Sequence, residues 1–183
     1  GWDRPVDGVV MQENDTTVSG YRCSQGWAHD QRIYFTAVFS KPLKGFRQER
    51  KELKEGASAA YGQAFFETED NETVYVKVAL SPVSAENAKM NLQAELPGWD
   101  FEGTVAQADK AWNEELNKVV IDADERTKRI FYTALYHTMI APSEFCDVNK
   151  DYFGTDKAVH PQAGFTNYTT FSLWDTYRNV HPL

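Results

Sequence analysis

The stretch TVYVKVALSPVSAENAKMNLQAEL, residues 73–96, decides the fold class. In its first half, apolar residues recur at every second position, so Val74, Val76, Val78 and Leu80 share one face of an extended strand. Pro82 ends that pattern, because its ring nitrogen donates nothing to a β-ladder. Ser84 then offers a hydroxyl to the free amides of a first helical turn. Ala85, Ala88, Leu92 and Leu96 follow at spacings of three and four, which places them on the inward stripe of a helix running to Leu96. A period of two gives way to one near 3.6 within a single short segment. The chain is therefore expected to be α+β, with strands before Pro82 and helices after it.

Upstream, Val6–Met11 and Thr17–Cys23 are strand candidates around the turn cluster Glu13-Asn14-Asp15. Arg32–Phe39 carries Ile33, Phe35, Ala37 and Phe39 on one side and Tyr34, Thr36 and Val38 on the other. Both faces are apolar or aromatic, which predicts an inner strand of a sandwich. Lys41–Glu55 holds six basic and three acidic residues and reads as a solvated hairpin loop. Ala57–Phe66 and Thr73–Leu80 form a further expected pair around the acidic run 67–72. Residues 1–82 thus look like part of an antiparallel β-sandwich, with Trp27, between Gly26 and Ala28, expected in its core.

Downstream, Pro97-Gly98 breaks the first helix. Thr104 is the expected cap of a second, on which Val105, Ala108, Trp112, Leu116 and Val119 form a core-facing stripe. Asp122-Ala-Asp-Glu125 resembles a capping box opening a third helix to about Ile140. Its centre, residues 130–140, is apolar nearly all round, which predicts burial on most sides and a hydrogen-bonded core role for His137. Ala141-Pro142 ends it.

Composition narrows the function classes. With 42% hydrophobic and 25% charged residues, the 183-residue chain can form a packed core. A net charge of −8 argues against a nucleic-acid or anionic-membrane partner. No apolar run approaches membrane-spanning length, and no signal peptide stands at the start. Cys23 and Cys146 read as free, partly buried thiols. Gly1-Trp2-Asp3 carries no start signal and Leu183 falls inside a helical pattern, so the sequence reads as an internal piece of a longer chain.

Few motifs carry chemistry. Asp147-Val-Asn-Lys-Asp151 has the opening of a calcium loop, but Tyr152 stands where glycine is needed and Ala158 where the bidentate glutamate belongs. It is better read as a side-chain-rich turn, and no metal ligand is assigned. Three Asn-x-Thr triplets begin at Asn14, Asn71 and Asn167, a pattern common by chance. His29 falls in an expected turn, and His160 in the loop ahead of the last helix. No serine-triad order, phosphate loop or Cys-x-x-Cys is present.

The last segment is richer. Ser172 is the expected cap of a helix in which Asp175 takes the third position, and Trp174, Tyr177 and Arg178 share about one face. An indole plate, a carboxylate and a guanidinium at a helix mouth suit a sugar ring and its hydroxyls. Core packing plus capping explains the same residues without any ligand.

Three blocks bear on that choice: VSGYRCSQGWAHDQRIYFTAVFSKP at 18–42, FYTALYHTMIAPSEFCDVNKDYFG at 131–154 and SLWDTYRNVHPL at 172–183. Together, and in this order, they resemble glycoside hydrolase family 92, calcium-dependent, inverting, exo-acting α-mannosidases, many of them α-1,2-specific. The resemblance implies the end of an N-terminal β-sandwich over 1–82, a helical linker over 83–121 and the first helices of an (α/α)6 barrel over 122–183. It implies that Asp175 holds sugar hydroxyls in the −1 subsite, with Trp174 and Arg178 shaping it. The catalytic acid and base and the calcium ligands are expected beyond Leu183, although Glu144, Asp147, Asp156 and Asp175 are carboxylates near the expected pocket mouth. Mannose-containing glycans and a secreted, periplasmic or cell-surface location follow from the same resemblance. The alternative is a non-catalytic carbohydrate-binding module using Trp2, Trp27 and Trp99 on a sheet face.

Overall fold

The computed structural model describes residues 3–176 and 180, and of Asp175 only the backbone. The chain divides into two compact units, one of residues 1–99 with 145–167 and one of 100–144 with 168–183.

The first unit begins with six strands: β1 (Arg4–Asn14), β2 (Thr17–Gln25), β3 (Gln31–Phe39), β4 (Gly45–Glu52), β5 (Ser58–Phe65) and β6 (Val76–Ser81). All pairing is antiparallel, in one sheet of order β1-β2-β3-β6 and a second formed by β4 and β5. β3 lies between β2 and β6, the inner position expected for it. The β1–β2 turn is closed by Asn14, whose side chain accepts from the Thr16 amide at 2.9 Å. Gly20 in β2 leaves no room for a side chain, since an added Cβ would stand 2.0 Å from the Val9 carbonyl oxygen.

Asp7 joins four strands. It accepts from Ser58 Oγ on β5 at 2.7 Å, Tyr21 Oη on β2 at 2.8 Å and an Arg50 guanidinium nitrogen on β4 at 3.0 Å.

Two strand expectations change. The charged run 41–55 is not merely a loop, because β4 occupies its centre. On a two-stranded edge hairpin one face meets solvent, so Arg47, Glu49 and Lys51 can sit in a strand without burial cost. β5 therefore pairs with β4 across the short link 53–57, and β6 pairs with β3 instead of β5. The sequence pattern leaves the direction of the β6 stripe open, and its apolar face is the outer one, with Val76, Val78 and Leu80 all 51–57% exposed. The inner positions are Lys77, Ala79 and Ser81.

What fixes that orientation is helix α1 (Ala85–Glu95), which packs on β6 and β3. Ser84 caps it, accepting from the Asn87 amide at 3.0 Å. Ala88, Asn91 and Leu92 are buried. Lys77 Nζ donates to the carbonyls of Leu96 at 2.8 Å and Gly98 at 3.2 Å, while lying 4.3 Å from the Trp99 ring centroid. The cation thus satisfies the carbonyls at the helix end and closes the Pro97-Gly98 break. Trp27 is 88% exposed, not a core residue, because residues 26–30 form a solvent-facing bend between β2 and β3. Two minimal strands, β7 (Tyr152–Phe153) and β8 (Val159–His160), complete this unit. Both cysteines are free and half-buried, and burial raises the Cys23 thiol pKa.

The second unit contains α2 (Phe101–Leu116) and α3 (Glu125–Thr138). Asp100, not Thr104, caps α2, accepting from the Gly103 amide at 2.9 Å. The break at Pro97-Gly98 lets the helix start at once, and Thr104 Oγ1 instead donates to the Asp100 carbonyl from inside the first turn. Asp124 caps α3 through the amides of Arg126 and Thr127. The helices meet where Trp112 stands edge-on to Tyr136 at 4.6 Å and Tyr132 Oη donates to the Val119 carbonyl at 3.1 Å. Trp112 is nevertheless 38% exposed, Leu135 is the one residue of α3 that is buried among those described, and His137 is exposed beside Tyr136. An all-round apolar helix needs neighbours on several sides, and α2 supplies one seam. The short helix α4 (Leu173–Thr176) also belongs here.

Candidate functional site

The approach to α4 is an ordered turn. Ser143 and Thr169 are joined by Thr169 N to the Ser143 carbonyl at 2.8 Å and Ser143 N to Thr169 Oγ1 at 3.0 Å, with Glu144 bridged to Tyr168 between them. Ser172 then caps α4 as its position predicts, with Oγ accepting from the Trp174 amide at 3.2 Å. Thr176 is buried and donates to the Ser172 carbonyl at 3.4 Å. Capping and the buried threonine hold the helix start, so Trp174 is not needed as core. Its indole is 84% exposed. That is the arrangement a stacking plate requires: an apolar face on a fixed backbone and open to a ring. The side chain of Asp175, and Tyr177 and Arg178 altogether, lie outside the described residues.

The other carboxylates named from sequence separate by environment. Asp147 is 1% exposed and accepts from Ser81 Oγ at 2.8 Å, Asn87 Nδ2 at 2.7 Å and Asn91 Nδ2 at 2.7 Å. Asp151 accepts from the Gln162 amide at 2.8 Å, from Asn149 Nδ2 at 2.7 Å and from Asn87 at 3.0 Å. The Gln162 amide, and then Asn87, hold its pKa below the ordinary carboxylate value. Amide hydrogens therefore point at the lone pairs a cation would need. The Asp147–Asp151 loop does not fit calcium, and among the described residues no group of three or more His, Cys, Asp or Glu side chains could hold a metal. Asp156 is exposed and paired with His160, whose Nε2 lies 2.9 Å from Oδ2, and this pairing lowers the Asp156 pKa. His160 also stacks on Tyr152 at 4.9 Å. Glu144 is exposed in the turn before α4.

Two open clefts lie on the sheets. One of about 450 Å³ runs along Arg4, Val6, Gln25 and Lys54, and one of about 560 Å³ along Arg47, Glu49, Lys51 and Tyr61. Neither includes a residue of α4.

Comparison with known proteins decides what this arrangement belongs to. Residues 1–81 match the N-terminal domain model of glycosyl hydrolase family 92, and residues 87–183 match its catalytic domain model. The chain belongs to glycoside hydrolase family 92. Among solved structures, the family 92 α-mannosidase BT3965 from Bacteroides thetaiotaomicron is 37% identical with a TM-score of 0.84, over 96% of this chain and 25% of that one. The same enzyme is also known in complex with mannoimidazole. The family 92 glycosyl hydrolase ccman5 is 27% identical with a TM-score of 0.76, over 94% of this chain and 24% of that one. A likeness at 24% identity to the inverting mannosidase BT2199 of Bacteroides thetaiotaomicron, with a TM-score of 0.78, speaks for the fold alone. No curated protein matched. The chain thus spans about a quarter of the solved family 92 structures it matches. It carries the antiparallel strands of the family's N-terminal β-sandwich and the start of its helical domain.

Proposed function

We propose that this chain is part of a secreted, periplasmic or cell-surface α-mannosidase, acting on α-1,2 links, that releases terminal mannose from glycans by calcium-dependent inversion. The observation that carries the reading is the 37% identity, over 96% of the chain, to a family 92 α-mannosidase. In this proposal the Trp174 indole stacks on the terminal sugar, the Asp175 carboxylate accepts from its hydroxyls and the Arg178 guanidinium donates to them. Inversion needs a carboxylic acid on the leaving oxygen and a carboxylate base activating water on the opposite face, roughly 6.5–9.5 Å apart. We assign both, and the calcium ligands, to residues outside this chain. Residues 1–183 alone are therefore expected to be inactive. We take 1–82, 83–121 and 122–183 as sandwich, linker and catalytic parts.

The test is hydrolysis of α-1,2-mannobiose by the full-length protein, with and without a chelator, comparing wild type with Asp175→Asn. Calcium-dependent mannose release that drops at least about tenfold in the variant, over 1.4 kcal/mol of transition-state binding, supports the reading. Release indifferent to Asp175→Asn reduces that residue to a cap.

The exposure of Trp27 favours a second reading, in which the sandwich itself binds glycans without catalysis. Mannose binding abolished by Trp27→Ala but kept by Asp175→Ala is its signature.

A further inference from the structure

We infer that the outward face of the β4–β5 hairpin is a second glycan-binding site, with Tyr61 as its stacking plate and Arg47, Glu49 and Gln63 as its polar contacts. The choice of a mannose-containing glycan as ligand rests on the mannosidase reading. The site itself lies wholly within the first unit.

The hairpin has two unlike faces. Phe46, Arg50, Ser58 and Gly62, at even positions, share the face turned toward β1. Arg50 and Ser58 bond there to Asp7, and a Cβ on Gly62 would stand 3.0 Å from Val10 Cγ2. These contacts hold the backbone, and a site is placed more firmly on such an element than on a loop. The odd positions point the other way, and the register sets them in pairs: Arg47 beside Gln63, Glu49 beside Tyr61, Lys51 beside Ala59. All but Ala59 are exposed, Tyr61 by 58%. The exposed ones line the open cleft of about 560 Å³.

A lone exposed tyrosine is ordinary on a protein surface, and charges along an edge hairpin keep it in water. The company of Tyr61 is what points to a ligand. Cross-strand neighbours stand about 5 Å apart, and positions two apart along a strand about 7 Å apart. Tyr61, Glu49, Arg47 and Gln63 therefore frame a patch the size of one sugar ring. The Tyr61 ring offers a plate to the apolar sugar face, the Glu49 carboxylate accepts from adjacent hydroxyls, and Arg47 and the Gln63 amide donate. Ala59 leaves the flank beside Tyr61 open. These four side chains make no hydrogen bond or ion pair with another described residue, so a ligand displaces only water. Glu49 between Arg47 and Lys51 interrupts the basic charge, which favours a neutral glycan over a phosphate-bearing one.

The experiment runs the full-length protein through native gels with and without soluble α-mannan, and measures turnover of α-1,2-mannobiose alongside. Tyr61→Ala is expected to weaken the apparent affinity for mannan at least about fivefold, the scale of one lost aromatic stack, while Tyr61→Phe keeps it. Both variants are expected to turn over the disaccharide like wild type. Retardation unaffected by Tyr61→Ala overturns the inference, as does wild-type protein that mannan fails to retard. Loss of retardation and turnover together in Tyr61→Ala with an unchanged melting temperature also overturns it, because Tyr61 then belongs to the catalytic pocket. Should Tyr61→Ala not fold, Glu49→Ala is put through the same comparison, and the same outcomes decide. Wild-type turnover tests the underlying reading separately. A wild type inactive on the disaccharide but retarded through Tyr61 sinks the mannosidase and leaves the glycan site standing. An active wild type whose retardation ignores Tyr61 sinks only the site.

Discussion

The hydroxyl of Thr36 and the carboxyl of Asp7 mark opposite outcomes for a polar side chain in the sheets. Thr36 is 1% exposed on β3, yet its Oγ1 hydrogen-bonds to none of the described residues. Such a group has left water without compensation, so Thr36→Val, which keeps the shape and removes the hydroxyl, is expected to raise stability by about 1 kcal/mol in urea unfolding. A loss would mean that the hydroxyl has a partner. Asp7, by contrast, collects donors, and Ser58 first and Tyr21 second lower its pKa. Its folded pKa lies below the unfolded value of about 3.9. The stabilisation is therefore complete above that value and is lost as pH falls through the lowered one. Urea midpoints of the chain should drop as pH goes from about 6 to about 3, less steeply in Asp7→Asn. Equal slopes would show that the Asp7 contacts do not persist in solution. Neither outcome is legible in the sequence, because alternation assigns faces and says nothing of which polar atoms meet.

Among the elements, α1 is legible almost completely and β4 hardly at all, and the contrast has a physical cause. The cap, stripe and stop of α1 lie within a few residues of one another, so Ser84, the burial of Ala88 and Leu92, and the break at Pro97-Gly98 all follow from local chemistry. Ser84→Ala removes the acceptor of the Asn87 amide and should cost about 1 kcal/mol in urea unfolding. A cost near zero would move the anchoring of the helix to Asn91 and Leu92. The sequence of β4 shows charge where a half-exposed hairpin needs no apolar face. The stripe of β6 is plain in the sequence but its direction is not, since direction depends on which side α1 covers. The same limit applies to Trp112 and Trp27, apolar residues whose exposure depends on neighbours a local pattern does not contain. At α4 the cap Ser172 is legible, as is the family itself.

At the scale of the whole chain, burial is unevenly divided. The first unit carries Val18, Ala37, Ala88 and Leu92 in its core, backed by the Asp7 and Asp147 circuits. In the second, Leu135 and Thr176 are the buried residues among those described, while Ile130, Tyr136 and Val105 remain exposed. Helices held chiefly by propensity and caps open locally at low free energy, because few apolar contacts are broken when they do. In the 183-residue chain, amide protons of α2 and α3 are therefore expected to exchange at least about a hundredfold faster than those of β2 and β3, a gap of some 2.7 kcal/mol in opening free energy. Hydrogen exchange followed by mass spectrometry reads this directly. In the full-length protein, if the proposed catalytic domain covers these helices, the gap should close. Equal protection in the 183-residue chain would mean that the seam between Trp112 and Tyr136 suffices to hold the helices. The apolar faces of α2 and α3 would then be available for another role.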